Sequence, residues 1–232
     1  MIHRKRTVAV FCATGEEFGG LLRSFPQAVV VENNNGIHAG VLEGESSRLL
    51  LLCSGVGHER TRACAQRVLM ENSVRLALST GIAGILDPRL ELGDVVFSHR
   101  VWVYHQKTLR FLEAAPEPDQ RVWDALRQAV QELPQEFKAS WIGPLVSSDQ
   151  PVANASLAGQ LHQSTGGLCV EMEAMGLSEV CRQMGIPFLG IKIMSDFADR
   201  HAFLSMLRHQ RRLCGRMGEL LAKVWQKIEF GD

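Results

Sequence analysis

The sequence lacks any apolar run approaching the ~20 residues that a membrane-spanning helix needs. The run Thr7–Ala13 is also too short for a secretory signal, because Glu16 and Glu17 follow it. It has no excess of either charge: Lys and Arg total 25, as do Asp and Glu, so no overall positive field would hold nucleic acid. We therefore expect a cytoplasmic protein whose partners include neither nucleic acid nor a membrane.

The sequence also lacks the motifs that bind metals and common cofactors. Its six cysteines contain no CxxC pair, and its eight histidines contain no HExxH motif. No GxGxxG motif and no P-loop lysine is present, so a dinucleotide or triphosphate site is not supported. Aromatic residues make up only 6% of the chain, with one tyrosine, and form no stacking platform for bases. The sequence predicts no metal, no cofactor, and reduced cysteines in the core.

What the sequence does have is an alternation of apolar strand-like runs with amphipathic helical segments. Wholly apolar strands are typical of a sheet that helices cover on both faces. No linker rich in Pro, Gly or Ser divides the chain. We predict a single α/β domain over residues 1–232, with a mixed sheet. The clearest strands are Thr7–Ala13, Leu49–Cys53 and Phe188–Met194, and the clearest helices are His58–Asn72 and Phe203–Ile228.

Two further segments receive a specific prediction. Val95–Tyr104 is expected to form one long strand. Thr80–Gly84 is expected to be a glycine loop after the strand Leu76–Ser79, and its glycines permit close approach of the backbone to a ligand. A tight turn without a ligand explains the same residues equally well.

Polar clusters occur where predicted strands end, and ligands of open α/β sheets bind beyond the carboxyl ends of strands. The site is therefore expected at four clusters: Thr14–Glu17, Thr80–Gly84, Glu171–Glu173 and Ser195–Asp196.

The carboxylates in these clusters suggest a division of labour. Asp196 follows apolar strand residues, so desolvation should raise its pKa. Glu17 lies at the start of a helix, whose dipole favours an ionised side chain. Glu171 and Glu173 share a face only if the strand continues through both. Cleavage of a glycosidic bond needs one carboxyl as an acid and another as a base. Ordinary first-turn helix acids and a capping aspartate are the alternative interpretation.

Four segments together resemble a known family. They are CATGEEF (Cys12–Phe18), STGIAGILDPRLELGDVVFS (Ser79–Ser98), VEMEAMGLSEVC (Val170–Cys181) and PFLGIKIMSDFAD (Pro187–Asp199). In this order they are similar to the nucleoside phosphorylase/nucleosidase superfamily, and CATGEEF is similar to its methylthioadenosine/S-adenosylhomocysteine nucleosidase branch. The resemblance implies a three-layer α/β/α sandwich, a purine nucleoside as substrate, and a homodimer.

The resemblance also implies residue roles. Asp196 would donate a proton to purine N7, and Glu17 would activate the attacking water. Glu173 would bind the ribose hydroxyls with Met172 beside the sugar, and the backbone around Val152 would read the purine edge. The expected substrate site is completed by Ile82, Gly84, Ser195 and Phe203. Phe203, with Met206 and Leu207, is a candidate for an apolar pocket around the 5′ substituent, and packing in the core or a dimer is the alternative.

Hydrolysis is expected rather than phosphorolysis. Glu16 and Glu17 bring negative charge to the place where a phosphate would bind, and Ile82 offers no hydroxyl. Arg23 and Lys192 keep a purine nucleoside phosphorylase open as an alternative. A catalytically silent nucleoside-binding protein is a third hypothesis, which the three retained carboxylates oppose.

Several positions depart from the family pattern. Pro151 replaces the usual aromatic residue, Lys192 stands where an arginine is usual, and Ile82 replaces a serine. These changes leave the substrate and its 5′ substituent open. The candidates are methylthioadenosine, S-adenosylhomocysteine, futalosine-type nucleosides and adenosyl-hopanoid nucleosides. The arginine-rich stretch Arg208–Arg216 is interpreted as a solvated helix face, with a dimer contact as the alternative.

Overall fold

The fold comes from a computed structural model that describes residues 5–32, 38–44, 46–133 and 139–230. The strands are β1 (Arg6–Cys12), β2 (Val29–Glu32), β3 (His38–Glu43), β4 (Ser47–Cys53), β5 (Val74–Ile85), β6 (Val95–Ser98), β7 (Val101–His105), β8 (Thr108–Phe111), β9 (Ser140–Ile142), β10 (Leu145–Ser148), β11 (Cys169–Glu171) and β12 (Phe188–Asp196). The helices are α1 (Gly15–Ser24), α2 (His58–Glu71), α3 (Gln120–Gln131), α4 (Ala155–Thr165), α5 (Ala174–Met184) and α6 (Ala202–Phe230).

The strands form one mixed sheet, with helices packed on both faces. Its order is β2-β3-β4-β1-β5-β11-β10-β7-β8, and β12 pairs with β5 and β6 while β9 pairs with β6. Side chains of α1, α3 and α6 share one apolar cluster with the sheet, and those of α2 and α5 share another. Burying two faces explains why the central strands are apolar throughout. The predicted three-layer α/β/α sandwich with a mixed sheet is confirmed.

Strand β5 is the centre of this sheet. It runs parallel to β1 and to β12, and its last residues pair antiparallel with β11. The predicted loop over Thr80–Gly84 is therefore wrong, because these residues continue β5 and pair with β12. Gly81 and Gly84 make room for neighbouring side chains within this strand and do not form a turn.

The prediction of one strand over Val95–Tyr104 is also wrong. The chain changes partners there: β6 pairs with β12 and β9, whereas β7 pairs with β10 and β8. The Ser98 hydroxyl donates to the Arg100 carbonyl at 2.8 Å in the break between the two strands. Strand β8 was not predicted from the sequence. It follows a tight turn in which Gln106 and Lys107 have positive φ angles of 49° and 62°.

Helix α1 has a well-formed start and a close crossing with α6. The Thr14 side chain accepts from the Glu17 N–H, while the Glu17 carboxylate accepts from the Thr14 N–H, which makes a capping box. Further along, a Cβ atom at Gly20 would lie 2.4 Å from the Cys214 carbonyl oxygen, and one at Gly218 would lie 2.4 Å from the Gly20 carbonyl oxygen. Only glycines permit the two helix backbones to approach so closely.

The cysteines are free thiols, as predicted. Five of them are buried, and Cys53 at the end of β4 is partly exposed. A search of the described helices finds none that is long and apolar enough to cross a membrane.

Candidate active site

The Glu17 carboxylate accepts hydrogen bonds from backbone N–H groups of the segment after β1 and of β5. Its Oε2 atom accepts from the N–H groups of Ala13 and Thr14 at 2.9 and 3.0 Å, and its Oε1 atom accepts from the Ile82 N–H at 3.0 Å. The residue is only 7% exposed. Three N–H donors stabilise negative charge and fix the direction of the carboxylate. The Glu17 carboxylate is therefore held in one orientation by the backbone.

Gly81 makes this contact possible. Its φ angle of 143° lies in the region that disfavours side chains, and a Cβ atom there would lie 2.4 Å from Glu17 Oε1. The next residue, Ile82, packs its side chain against the apolar cluster between the sheet, α1 and α6. What Ile82 offers to the site in this structure is its backbone N–H.

Asp196, the last residue of β12, has a different environment. Its Oδ2 atom lies 2.7 Å from the Ser195 hydroxyl, and its Oδ1 atom accepts from the Ala198 N–H at 2.9 Å. Burial raises the pKa of Asp196, and this effect outweighs the two hydrogen bonds, which lower it. The raised pKa agrees with the sequence-based expectation and suits a proton donor.

The loop after Asp196 is strained to make its hydrogen bond. Ala198 is fully buried and has a φ angle of 50°, a left-handed conformation that costs a non-glycine residue free energy. Since the Ala198 N–H donates to Asp196, the strained conformation helps to position the Asp196 carboxyl group.

Strand β5 contacts both Glu17 and Asp196. Ile82 binds Glu17, and Gly84 lies two residues later, opposite Asp196 in β12. A Cβ atom at Gly84 would lie 2.8 Å from Asp196 Oδ1. The last residues of β5 thus contact both carboxyl groups, through a backbone N–H at Ile82 and through the missing side chain at Gly84.

Glu171 and Glu173 do not share a role. Helix α5 begins at Ala174, directly after Glu173, so the strand does not continue through both glutamates. Glu171 turns towards the helix start and accepts from the Glu173 and Ala174 N–H groups at 3.1 and 2.9 Å. It is also fully buried beside Lys192. Glu171 is therefore a structural group, although the sequence suggested it equally as a site residue.

Glu173 is the glutamate that remains partly exposed. Its Oε1 atom accepts from the Gly57 N–H at 2.9 Å, at the N-terminus of α2. Burial, followed by the nearby charge of Glu171, raises the pKa of Glu173 to about 7. Met172 beside it is also partly exposed.

A buried lysine completes the polar core of the site. Lys192 is 1% exposed, and its Nζ atom lies 2.9 Å from Glu171 Oε2 and 3.1 Å from Ser79 Oγ. Burial alone would lower the pKa of Lys192, but the carboxylates of Glu171, Glu173 and Glu17 reverse this effect and raise it. Sequence reasoning named Lys192 but missed its partners. The available signal was a lysine within the otherwise apolar strand β12.

The other predicted site residues are distributed around these carboxylates. Val152, after β10, is buried in a small apolar cluster with Val170 of β11. Phe203 is 66% exposed in the first turn of α6. The Ser205 hydroxyl donates to the Ser195 carbonyl at 2.9 Å, which ties this turn to the strand carrying Asp196. Phe203 is thus near the end of β12 that carries Asp196, but most of its side chain is exposed.

Arg23, which kept phosphorolysis open, lies on the surface. Its side chain is 54% exposed, and its nearest carboxylate is that of Glu16 at 4.0 Å. Lys192, the other candidate cation, already has Glu171 as a partner.

Comparison with known proteins agrees with this geometry. The family model of the phosphorylase superfamily matches residues 7–225. A 5′-methylthioadenosine/S-adenosylhomocysteine nucleosidase of Mycobacterium bovis is 28% identical over 225 residues, covering 83% of this chain and 86% of the relative. A protein of the same name from Halalkalibacterium halodurans is 28% identical over 178 residues, covering 72% of this chain and 75% of its own.

Solved structures share the fold. A nucleosidase of the same name from Neisseria meningitidis, in complex with methylthio-immucillin-A, superimposes with a TM-score of 0.82 at 24% identity, covering 95% of this chain and 99% of its own. A futalosine hydrolase mutant of Helicobacter pylori gives 0.82 at 17% identity, with coverages of 96% and 99%. Since the family model extends from β1 into α6, the chain belongs to the phosphorylase superfamily.

Proposed function

We propose that this protein is a nucleosidase that hydrolyses the N-glycosidic bond of a purine nucleoside. The observation that carries the proposal is the pair of carboxylates next to β5: Glu17 bound by three N–H donors, and Asp196 with a raised pKa. In such a pair, two carboxyl groups in different environments act as a base and as an acid. The names of the relatives support an adenine-type nucleoside with a 5′ substituent, such as methylthioadenosine or S-adenosylhomocysteine.

In the proposed reaction Asp196 gives its proton to N7 of the purine while the bond between C1′ and N9 breaks. The base leaves as a neutral molecule, and positive charge develops on the ribose. Water adds to C1′ and passes a proton to Glu17, which restores a hydroxyl on the sugar. The carboxylates of Glu17 and Glu173 stabilise the developing charge electrostatically. The reaction uses no metal and no cofactor.

The remaining residues are proposed to bind substrate. Glu173 accepts hydrogen bonds from the ribose hydroxyls, because its Oε1 atom is already oriented by Gly57 and its side chain is partly exposed. Met172 packs beside the sugar, and the backbone around Val152 reads the purine edge. Ile82, Gly84, Ser195 and Phe203 complete the substrate site, with Phe203 next to the 5′ substituent.

Hydrolysis is favoured over phosphorolysis because neither candidate cation, Lys192 or Arg23, is available to bind a phosphate in the site. Lys192 is bonded to Glu171 and is not available to an added phosphate, and Arg23 lies on the outer surface. A phosphate dianion next to Glu17 would meet a fixed negative charge.

The first experiment is to measure base release from a panel of purine nucleosides, with and without inorganic phosphate, and to separate both products by chromatography. Free base and free sugar without phosphate would agree with the proposal, and the best substrate would define the 5′ substituent. A strict need for phosphate, with a sugar 1-phosphate as product, would replace it by phosphorolysis. Substrate binding without base release would indicate the catalytically silent alternative.

We further propose that residues 1–232 form one domain, that the protein is a homodimer, and that it acts in the cytoplasm. The dimer rests on the family resemblance. Light scattering on the eluate of a size-exclusion column tests it, since a particle of twice 25.7 kDa is expected.

A further inference from the structure

The chain is neutral overall, but the start of its last helix carries arginines without acidic residues between them. Between Arg200 and Gly218 the sequence contains five arginines and no acidic residue. Most of this stretch belongs to the first half of α6. A neutral protein with such a local excess presents a strongly positive surface to its surroundings.

The arginines line a groove beside α1. The groove has a volume of about 530 Å³ and is lined by Arg23, Arg208, Arg211, Arg212, Gly215, Arg216 and Glu219. Arg208, Arg211 and Arg212 are exposed, and no carboxylate in the described part of the chain forms an ion pair with any of the three. The opposite side of α6 is buried in the apolar cluster through Leu213, Met217 and Leu220. The arginine side is therefore the outer face of a docked helix.

Large apolar side chains precede the arginines on this outer face. Phe203, Leu204 and Leu207 are 66%, 64% and 46% exposed. Helical spacing places Leu204, Leu207, Arg208 and Arg211 along one side. Exposed leucines beside exposed arginines, here Arg208 and Arg211, are the pattern of helices that lie in the interface of a membrane.

We propose that this surface, which we call the α6 face, binds an anionic phospholipid membrane. The arginines would contact phosphate groups of the lipids, and Leu204 and Leu207 would enter the region between headgroups and acyl chains. A nucleic acid would use the arginines but leave the exposed leucines without a role. Surface binding needs no membrane-spanning helix, so the α6 face revises the sequence-based expectation that no membrane is a partner.

The α6 face is also close to the acid of the proposed reaction. The Ser205 hydroxyl binds the Ser195 carbonyl, next to Asp196. A membrane bound here would lie beside the end of the site where Phe203 and Phe197 are exposed. The proposal itself does not depend on the proposed function, because binding to lipid can be measured without any substrate.

The test is co-sedimentation of the full chain with vesicles of phosphatidylcholine, either alone or mixed with phosphatidylglycerol. We expect binding only to the anionic vesicles, weakened by salt. The triple variant R208E/R211E/R212E should bind at least about tenfold less, because each basic residue contributes to attraction to an anionic surface. Leu204→Ser with Leu207→Ser should reduce binding several-fold without changing the net charge.

A matched control carries the same change in charge elsewhere. Arg67, Arg75 and Arg121 are exposed on other parts of the molecule, and their replacement by Glu should leave most of the vesicle binding intact. Thermal unfolding of all variants checks that they are folded.

Four results would overturn the proposal. They are equal binding to neutral vesicles, equal loss in the control triple variant, binding of duplex RNA or soluble polyphosphate without vesicles, and conversion of a dimer to a monomer by R208E/R211E/R212E. The last would assign the α6 face to a second copy of the chain.

Discussion

The two proposed catalytic carboxyls contact β5 two residues apart, yet their surroundings differ. Glu17 accepts three backbone hydrogen bonds, and Lys192 lies close enough for the Glu17 charge to raise the pKa of the lysine. Asp196 has one hydroxyl and one N–H as partners, and no cation is among the groups that affect its pKa. Donors and a cation favour an ionised carboxylate, whereas burial with few donors favours a protonated one.

The difference supports the two proposed roles. In the proposed reaction one carboxyl acts as a base and the other as an acid, and the donors around them are placed unequally. The following variants test that distinction, from the largest expected effect to the smallest.

Isosteric replacement of either carboxyl should nearly abolish the reaction. We expect Glu17→Gln and Asp196→Asn each to lower kcat/KM by about 10²- to 10⁴-fold, the range of general acid–base catalysis. In the wild type, activity should fall as pH rises through the raised pKa of Asp196, because the acid loses its proton. Unchanged hydrolysis in Asp196→Asn would show that this residue is not the acid.

Removing the positive charge of Lys192 should perturb the surroundings of Glu17 and leave those of Asp196 unchanged. Lys192→Met leaves the Glu171 carboxylate buried without its partner, which should cost about 3–5 kcal/mol of unfolding free energy. The double variant K192M/E171Q removes both charges and keeps an acceptor for the Ala174 N–H, so it should recover much of this loss. Urea unfolding of both variants measures the effect. Equal stability of Lys192→Met and wild type would contradict the buried ion pair.

Alanine at the two glycines should separate stability from activity. Gly81→Ala meets both an unfavourable φ angle and the Glu17 carboxylate, so it should cost about 1–3 kcal/mol as well as activity. Gly84→Ala meets the Asp196 carboxyl, a side-chain end that can turn away. We expect near-normal stability with kcat lowered about tenfold or more, since a misdirected group reacts poorly. Thermal unfolding and kcat should be measured for both variants. Similar losses of stability in Gly81→Ala and Gly84→Ala would contradict the expected difference between the two glycines.

The smallest effect concerns Glu173, whose pKa is raised to about 7 from an ordinary value of 4.5. Between these values the folded protein holds a proton that the unfolded chain has released, so the free energy of unfolding should fall as pH rises from about 4.5 to 7. Glu173→Gln should reduce that fall. Denaturation at pH 5 and at pH 8 measures it, and a slope identical to the wild type would show that Glu173 titrates normally.

The parts of the site predicted from sequence are those whose signal is local. Asp196 follows a long apolar strand, and Glu17 starts a helix with its capping threonine three residues away, so both environments could be anticipated. The roles of these residues are still proposals. The same reason explains the prediction of α2, α6, β1, β4 and β12, because apolar patterning is a property of neighbouring residues.

The parts that could not be predicted depend on contacts between distant residues. Lys192 meets Glu171 and Ser79 only because β12 packs beside β5 and near the start of α5. Gly81 and Gly84 have the composition of a turn, and only the side chains of Glu17 and Asp196 explain why a strand needs them. The division of β6 from β7 likewise follows from their different partners and not from their residues.

The glycine crossing of α1 and α6 has a mechanical consequence. Gly20 and Gly218 bring the two helix backbones into direct contact, without flexible side chains between them to absorb movement. Helix α1 begins beside Glu17, and α6 carries the arginines of the outer surface. A displacement of α6 is therefore transmitted directly to the helix that carries Glu17, because the two backbones touch at these glycines.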